Sequence, residues 1–194
     1  MFEAGKLTSA SAADYCTVKF AIIEIAYAYS RGTNDGIKDW EKACSGAALA
    51  ASMDSEGDEK PGEGHLALSR ILMNVCQDVA DSDKEKYVPY ILKELDIGKL
   101  ERVRGMDAAF NVGLIFDYLS RNALKKSREG RGLYDGLAFQ YYKLANKLWP
   151  ANHKHKNAVQ KNLAAVEERL RLNETPSRNS NRGKLIYRKT FDCI

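Results

Sequence analysis

The sequence has little of what enzyme active sites and metal centres usually need. It contains only three histidines and four cysteines among 194 residues. The cysteines, Cys16, Cys44, Cys76 and Cys193, stand far apart and form no CxxC pair, which predicts buried, reduced thiols. The chain also lacks GxxxxGK[ST], GxGxxG and HExxH motifs. We therefore expect a protein that is not an enzyme and that holds no cofactor.

Two of the three histidines stand together, in the segment HKHK that covers residues 153–156. On a helix, side chains two positions apart point to different faces, and no third histidine or cysteine lies nearby in the sequence. The segment is therefore predicted to be the exposed, basic start of a helix capped by Asn152, and no metal is expected there.

The segment over residues 54–64 is acidic and contains no apolar side chain. Its carboxylates Asp54, Glu56 and Asp58 follow the spacing of the first calcium ligands in an EF-hand loop. The glycine and the bidentate glutamate that such a loop needs further along are both missing. The sequence predicts an exposed acidic loop and no calcium site.

Long hydrophobic runs are absent as well. The most apolar stretch of the fifth predicted helix, MDAAFNVGLIFDYL, is interrupted by Asp107, Asn111 and Asp117, so no segment reaches the roughly 18 residues that span a bilayer. The first residues show no pattern of a secretory signal. We expect a soluble, cytoplasmic protein with no membrane partner.

Charge is distributed unevenly along the chain. Residues 1–120 contain 13 Lys+Arg against 20 Asp+Glu, whereas residues 121–194 contain 17 against 6. The basic third predicts an acidic protein partner, and binding of nucleic acid without sequence specificity is the alternative. The asymmetry also allows a homo-oligomer. The predicted basic surface consists of Arg121, Lys125, Lys126, Arg128, Arg131, Lys143, Lys147, Lys154, Lys156, Lys161, Arg178, Arg182, Lys184, Arg188 and Lys189.

Apolar side chains recur at helical spacing almost everywhere, which predicts an all-α protein of about seven helices. The first helix is apolar on two sides and is expected to be central. Residues 1–174 should form one domain, and the polar, basic segment 175–194 a flexible tail or docked arm. The predicted helices cover about 11–30, 37–53, 65–80, 88–98, 100–126, 133–148 and 153–172.

One pattern in the sixth predicted helix resembles a known repeat. Ala138, Tyr142, Ala145, Leu148 and Pro150 follow the order small, aromatic, small, apolar, proline, and this is similar to the second helix of a tetratricopeptide hairpin. The second predicted helix looks like a degenerate copy of this pattern, with Trp40, Ala43, Ala47, Ala50 and Met53 at helical spacing. The resemblance implies stacked antiparallel hairpins that bind a peptide or protein in a concave groove, without catalysis. A globular multi-helix bundle remains the other architecture.

Overall fold

The computed structural model describes residues 9–32, 36–55, 58, 61–122 and 128–174. Within these ranges the chain is helical and contains no strand, so the all-α prediction is confirmed. The predicted tail 175–194 lies outside the described residues. The helices are α1 (Ser9–Arg31), α2 (Trp40–Ser52), α3 (Glu63–Asp78), α4 (Asp81–Lys84), α5 (Val88–Glu94), α6 (Ile97–Arg102), α7 (Met106–Asn122), α8 (Arg128–Leu148) and α9 (Lys156–Glu174).

The long helices pack mainly on their neighbours in the chain. α1 packs on α2, α2 on α3, α3 on α7, α7 on α8, and α8 on α9. α1 also touches α3, which brings α1, α3 and α7 side by side. The short helices form the connection between α3 and α7, where α5 contacts α2 and α6 contacts both α7 and α8. The resemblance to tetratricopeptide repeats stays a prediction, because this order of contacts suits hairpin stacks and bundles alike.

The contact between α7 and α8 buries several large side chains of the core. Tyr142 is fully buried against Gly113, where an added Cβ atom would lie 2.6 Å from the tyrosine ring. The ring centroid of Phe110 lies 5.9 Å from that of Tyr142. The hydroxyl of buried Tyr141 donates to the Leu95 carbonyl at 2.9 Å. Glycine at position 113 therefore lets an aromatic side chain, rather than a neighbouring backbone, approach α7 closely.

The prediction of one helix over 100–126 is wrong in its first part, because a turn at residues 103–105 separates α6 from α7. α6 ends at Arg102, and the Gly105 amide donates back to the Leu100 carbonyl at 2.7 Å. Arg104 has φ 52°, the left-handed conformation that often closes a helix. The predicted helix end at Gly98 is also wrong, since this glycine lies inside α6, which Asp96 caps.

The prediction that α1 is a central helix is wrong. α1 packs mainly on α2 and α3, and Tyr15, Val18 and Ile25 remain exposed on its other side. Periodicity indicates that a helix is apolar all round but does not say how many neighbours it has. Although α1 is so apolar, no helix in the described ranges is long and apolar enough to cross a membrane.

Candidate functional site

An open cleft of about 470 Å³ lies where α1, α3 and α7 meet. It is lined by Tyr27 from α1, by Arg70, Met73 and Asn74 from α3, and by Asn111 from α7. Arg70 and Asn74 are exposed, while the other three side chains are half-buried. Arg70 and Asn74 are one helical turn apart, so both project from the same face of α3.

Contacts within the chain hold two walls of the cleft in place. The Asn111 amide donates to the Ser69 hydroxyl at 3.0 Å, and Ser69 in turn donates to the Leu66 carbonyl at 2.8 Å. The Arg31 guanidinium lies 5.9 Å from the centroid of the Tyr27 ring. Arg70, by contrast, forms no ion pair and no hydrogen bond with any residue that the structure describes. Its guanidinium is therefore available to an external anion.

The side chains of the cleft offer hydrogen-bond donors, acceptors and apolar surface. An arginine donates paired hydrogen bonds to carboxylates, amide side chains pair with peptide groups, and Tyr27 and Met73 offer apolar surface. Small-molecule sites are usually enclosed and mostly apolar, whereas this cleft is open and its surface is polar and apolar in about equal parts. Among the described residues, its lining contains no cysteine, serine, histidine or carboxylate that could act as nucleophile or base.

The sequence reasoning did not identify this cleft. Arg70 and Asn74 are polar residues one turn apart, on a helix that contains several other polar residues. That signal is weak, because polar residues on the outer face of a helix are ordinary. Tyr27 and Asn111 lie more than 35 residues away from both, and only the packing of α1 and α7 on α3 brings them together.

Half of the predicted basic surface is not described. Arg128 begins α8, but only its backbone is described. The other seven residues lie outside the described ranges: Lys125, Lys126, Arg178, Arg182, Lys184, Arg188 and Lys189.

Three members of the basic surface are engaged within the chain. Arg121 pairs with the buried carboxylate of Asp117, and Lys147 pairs with Glu101 of α6. The third, Lys156, donates to the Trp149 carbonyl at 2.9 Å and to the Asn146 carbonyl, which satisfies groups left open at the end of α8.

The remaining four described members differ in burial. Arg131 is half-buried, and its Nε has no hydrogen-bond partner among the described residues. Lys143, Lys154 and Lys161 are exposed and form no ion pair within the described ranges. Among the members of the basic surface whose side chains are described, these three lysines have exposed ammonium groups that no carboxylate of the described ranges neutralises.

A charge cluster that the sequence reasoning missed joins the last three helices. Arg169 of α9 donates to Asp135 of α8 at 3.0 Å and pairs with Asp117 of α7. Both carboxylates are buried. Burial alone would lower the pKa of Arg169, but the two carboxylates raise it above its ordinary value. Arg121 and Arg169 together neutralise Asp117, so their charges serve the fold.

The acidic segment after α2 is not the fully exposed loop that the sequence predicts. The Lys19 side chain is 1% exposed, and its ammonium contacts Asp54 at 3.0 Å and Asp58 at 2.6 Å. The other oxygen of Asp54 accepts from the His65 amide at 2.9 Å and lies 2.6 Å from His65 Nδ1. A cation on α1 thus holds the carboxylates in place, which the local composition of the segment could not indicate.

The same cluster resembles an aspartate–histidine pair of a catalytic site, but its location does not suit catalysis. His65 Nε2 is buried and has no hydrogen-bond partner among the described residues. No residue of the cluster lines the cleft described above. A general base needs access to its substrate, so we interpret the cluster as a structural connection between α1, the acidic segment and α3.

Because of this cluster, the free energy of unfolding should depend on pH. Burial would raise the pKa of Asp54 and Asp58, but hydrogen bonds from His65, Lys19 and Ser55 lower both below the ordinary 3.8. Their stabilising contribution is therefore complete above that value and is lost as the pH falls through the lower folded-state pKa. The free energy of unfolding, measured with urea, should fall when the pH is lowered from about 6 to about 3. The fall should be smaller for Asp58→Asn than for the unmodified protein, because the variant has no carboxylate to protonate at this position. Equal losses would contradict this role.

The histidines and cysteines provide no further site in the described ranges. The His153 ring stacks on Trp149 with centroids 4.6 Å apart, and α9 begins three residues later, so the prediction of a helix start at His153 is wrong. No group of three or more His, Cys, Asp or Glu is arranged there to hold a metal ion. Burial raises the pKa of Cys44 to about 12 and that of Cys76 to about 11, so both thiols are protonated at neutral pH.

Comparison of the chain with protein-family models, with curated proteins and with solved structures gives no match.

Proposed function

We propose that the protein is a non-enzymatic binding module that takes an acidic peptide segment of a protein partner into the cleft between α1, α3 and α7. The observation that supports this most directly is the exposed Arg70 guanidinium, which has no anionic partner in the described residues. Arg121, Arg169 and Arg171 lie against carboxylates. Arg102 and Arg104 are exposed and form no ion pair within the described residues either, but they do not line the cleft.

The neighbouring side chains support a peptide as the ligand. Asn74 and Asn111 can donate to and accept from peptide groups, while Tyr27 and Met73 can contact apolar side chains of the ligand. Binding in this form uses a surface made of three helices, in line with the groove that the helical-repeat resemblance implies. The exposed lysines of the basic surface lie on α8, in the connection after it and on α9, so they would make a separate contact with an acidic partner.

Reversing the charge of Arg70 tests this function. Arg70→Glu should weaken binding of the partner by about tenfold to a hundredfold, because a charge-assisted hydrogen bond is lost and a like charge is introduced. The partner is first captured from the source cell with the tagged protein and then titrated in purified form by anisotropy. Arg102→Glu, which reverses another exposed arginine outside the cleft, is the matched control. Equal affinity of the Arg70→Glu variant and the unmodified protein would refute the cleft as the site.

The exposed lysines favour nucleic acid as the second candidate ligand. Lys143, Lys154 and Lys161 could contact phosphates, and such binding falls steeply with salt. A labelled single-stranded oligonucleotide titrated at low and at moderate salt separates the two functions. Binding that Lys143→Glu abolishes and Arg70→Glu leaves unchanged would favour nucleic acid, whereas no binding at low salt would exclude it.

A further inference from the structure

A stripe on the outer side of α1 is apolar, although charged side chains are also exposed on this side of the helix. Val18 and Ile25 are 52% and 55% exposed, and Ala21 and Ala28 between and beyond them are exposed as well. Together with Tyr15, which is also exposed, these side chains form what we call the α1 face. A surface helix in a folded domain normally turns charged and polar residues outward, and a large exposed apolar patch usually marks an interface.

The spacing along the α1 face is that of a helix seam. Val18, Ala21, Ile25 and Ala28 alternate steps of three and four, the interval at which two helices pack along their length. Small residues alternate with branched ones, which allows the axes of two helices to approach closely. α1 contains 23 residues, so it extends for roughly 34 Å.

The α1 face belongs to the first of the helices, each of which packs mainly on its neighbours. α1 packs on α2 and α3, and its opposite side has no major contact with another described helix. In stacked helical arrays the terminal helix needs a polar outer face or a covering partner. The α1 face is not polar, so we infer a covering partner.

We propose that this partner is a second copy of the chain, whose α1 packs antiparallel against the first. A two-fold axis near Ala21 and Ile22 would place Val18 of each copy beside Ile25 of the other. The seam is nearly symmetric about that point, as an isologous interface requires. No side chain of the α1 face lines the cleft, so the contact does not rest on the proposed function.

The charges on the exposed side of α1 favour the antiparallel direction. Asp14, Glu24 and Arg31 are the charged residues whose exposed side chains the structure describes on this helix. In a parallel pair each would lie beside its own copy, with like charges opposed. In the antiparallel pair, Arg31 of one copy and Asp14 of the other are offset along the helix axis by only two residues. This offset is about 3 Å. The pair is therefore complementary at both ends.

Sedimentation of the full chain tests the proposal. The unmodified protein should become a dimer as its concentration is raised to about 100 µM. The double variant V18E/I25E should remain monomeric over the same range, because it places four carboxylates in an apolar interface. Leu92→Glu is the matched control, since Leu92 is 50% exposed on α5, and it should remain dimeric. A monomeric unmodified protein would overturn the proposal. That result is also expected if another segment of the chain, or a different protein, covers the α1 face.

Charge reversal tests the direction of packing. Asp14→Arg alone should weaken dimerisation about tenfold by bringing two arginines together at each end, and adding Arg31→Asp should restore it. In the background C16S/C193S, Ala21→Cys lies near the two-fold axis and should form an intermolecular disulfide, whereas Ala28→Cys should not. Cross-linking of both variants with equal yield would indicate a parallel pair and overturn the antiparallel arrangement.

Discussion

Replacing Lys19 with methionine should lower the free energy of unfolding by about 3–5 kcal/mol. The Lys19 ammonium is buried between Asp54 and Asp58, whose side chains are 0% and 10% exposed. Methionine fills a similar volume but leaves both carboxylates without their cation in a site that water reaches poorly. Urea unfolding at neutral pH, followed by circular dichroism, measures the loss.

The pair formed by Lys147 and Glu101 provides the control for this substitution. Both side chains are largely exposed, so Lys147→Met should change stability by only about 0–1 kcal/mol. The triple variant K19M/D54N/D58N removes the uncompensated charges and should regain part of the stability lost by Lys19→Met. Similar small losses for Lys19→Met and Lys147→Met would show that the cluster is solvated in solution.

Gly64→Ala should cost about 3 kcal/mol or more, the upper end of what overpacking costs in protein cores. Gly64 lies in the first turn of α3, and an added Cβ atom would be 2.3 Å from the Ala50 carbonyl oxygen and 2.4 Å from its carbon. These are backbone atoms of α2, which cannot rotate away as a side chain could. Relief of the clash therefore requires that α2 and α3 move apart, and thermal unfolding should show a lower Tm.

Gly46→Ala is a matched control, because this glycine also lies at a contact between two helices. An added Cβ atom would be 3.3 Å from the Ala26 Cβ atom, which requires a shift of only a few tenths of an ångström. Alanine is also the better helix former by roughly 0.5–1 kcal/mol. We expect a net change within about 1 kcal/mol. An equally stable Gly64→Ala variant would mean that the close contact between α2 and α3 is absent in solution.

The fold class and much of the core could be predicted from the sequence. Helical spacing of apolar residues indicated the all-α class, and the small and aromatic residues of α8 indicated a packing face. Ala138, Tyr142 and Ala145 are indeed fully buried. These predictions succeed because a helix repeats every 3.6 residues, so the pattern of apolar side chains marks the face that will be buried.

Helical periodicity therefore indicates which side of each helix can be buried, whereas contacts between residues far apart in the chain define what covers it. Lys19 meets carboxylates 35 and 39 residues further along the chain. Likewise, Tyr27, Arg70 and Asn111 share one cleft only through the packing of α1, α3 and α7. The physical reason is that periodicity depends on neighbours within a helix, whereas the cleft and the charge cluster depend on contacts between residues far apart in sequence. The exposed apolar side of α1 has the same cause, because the periodicity of a helix does not say how many other helices pack on it.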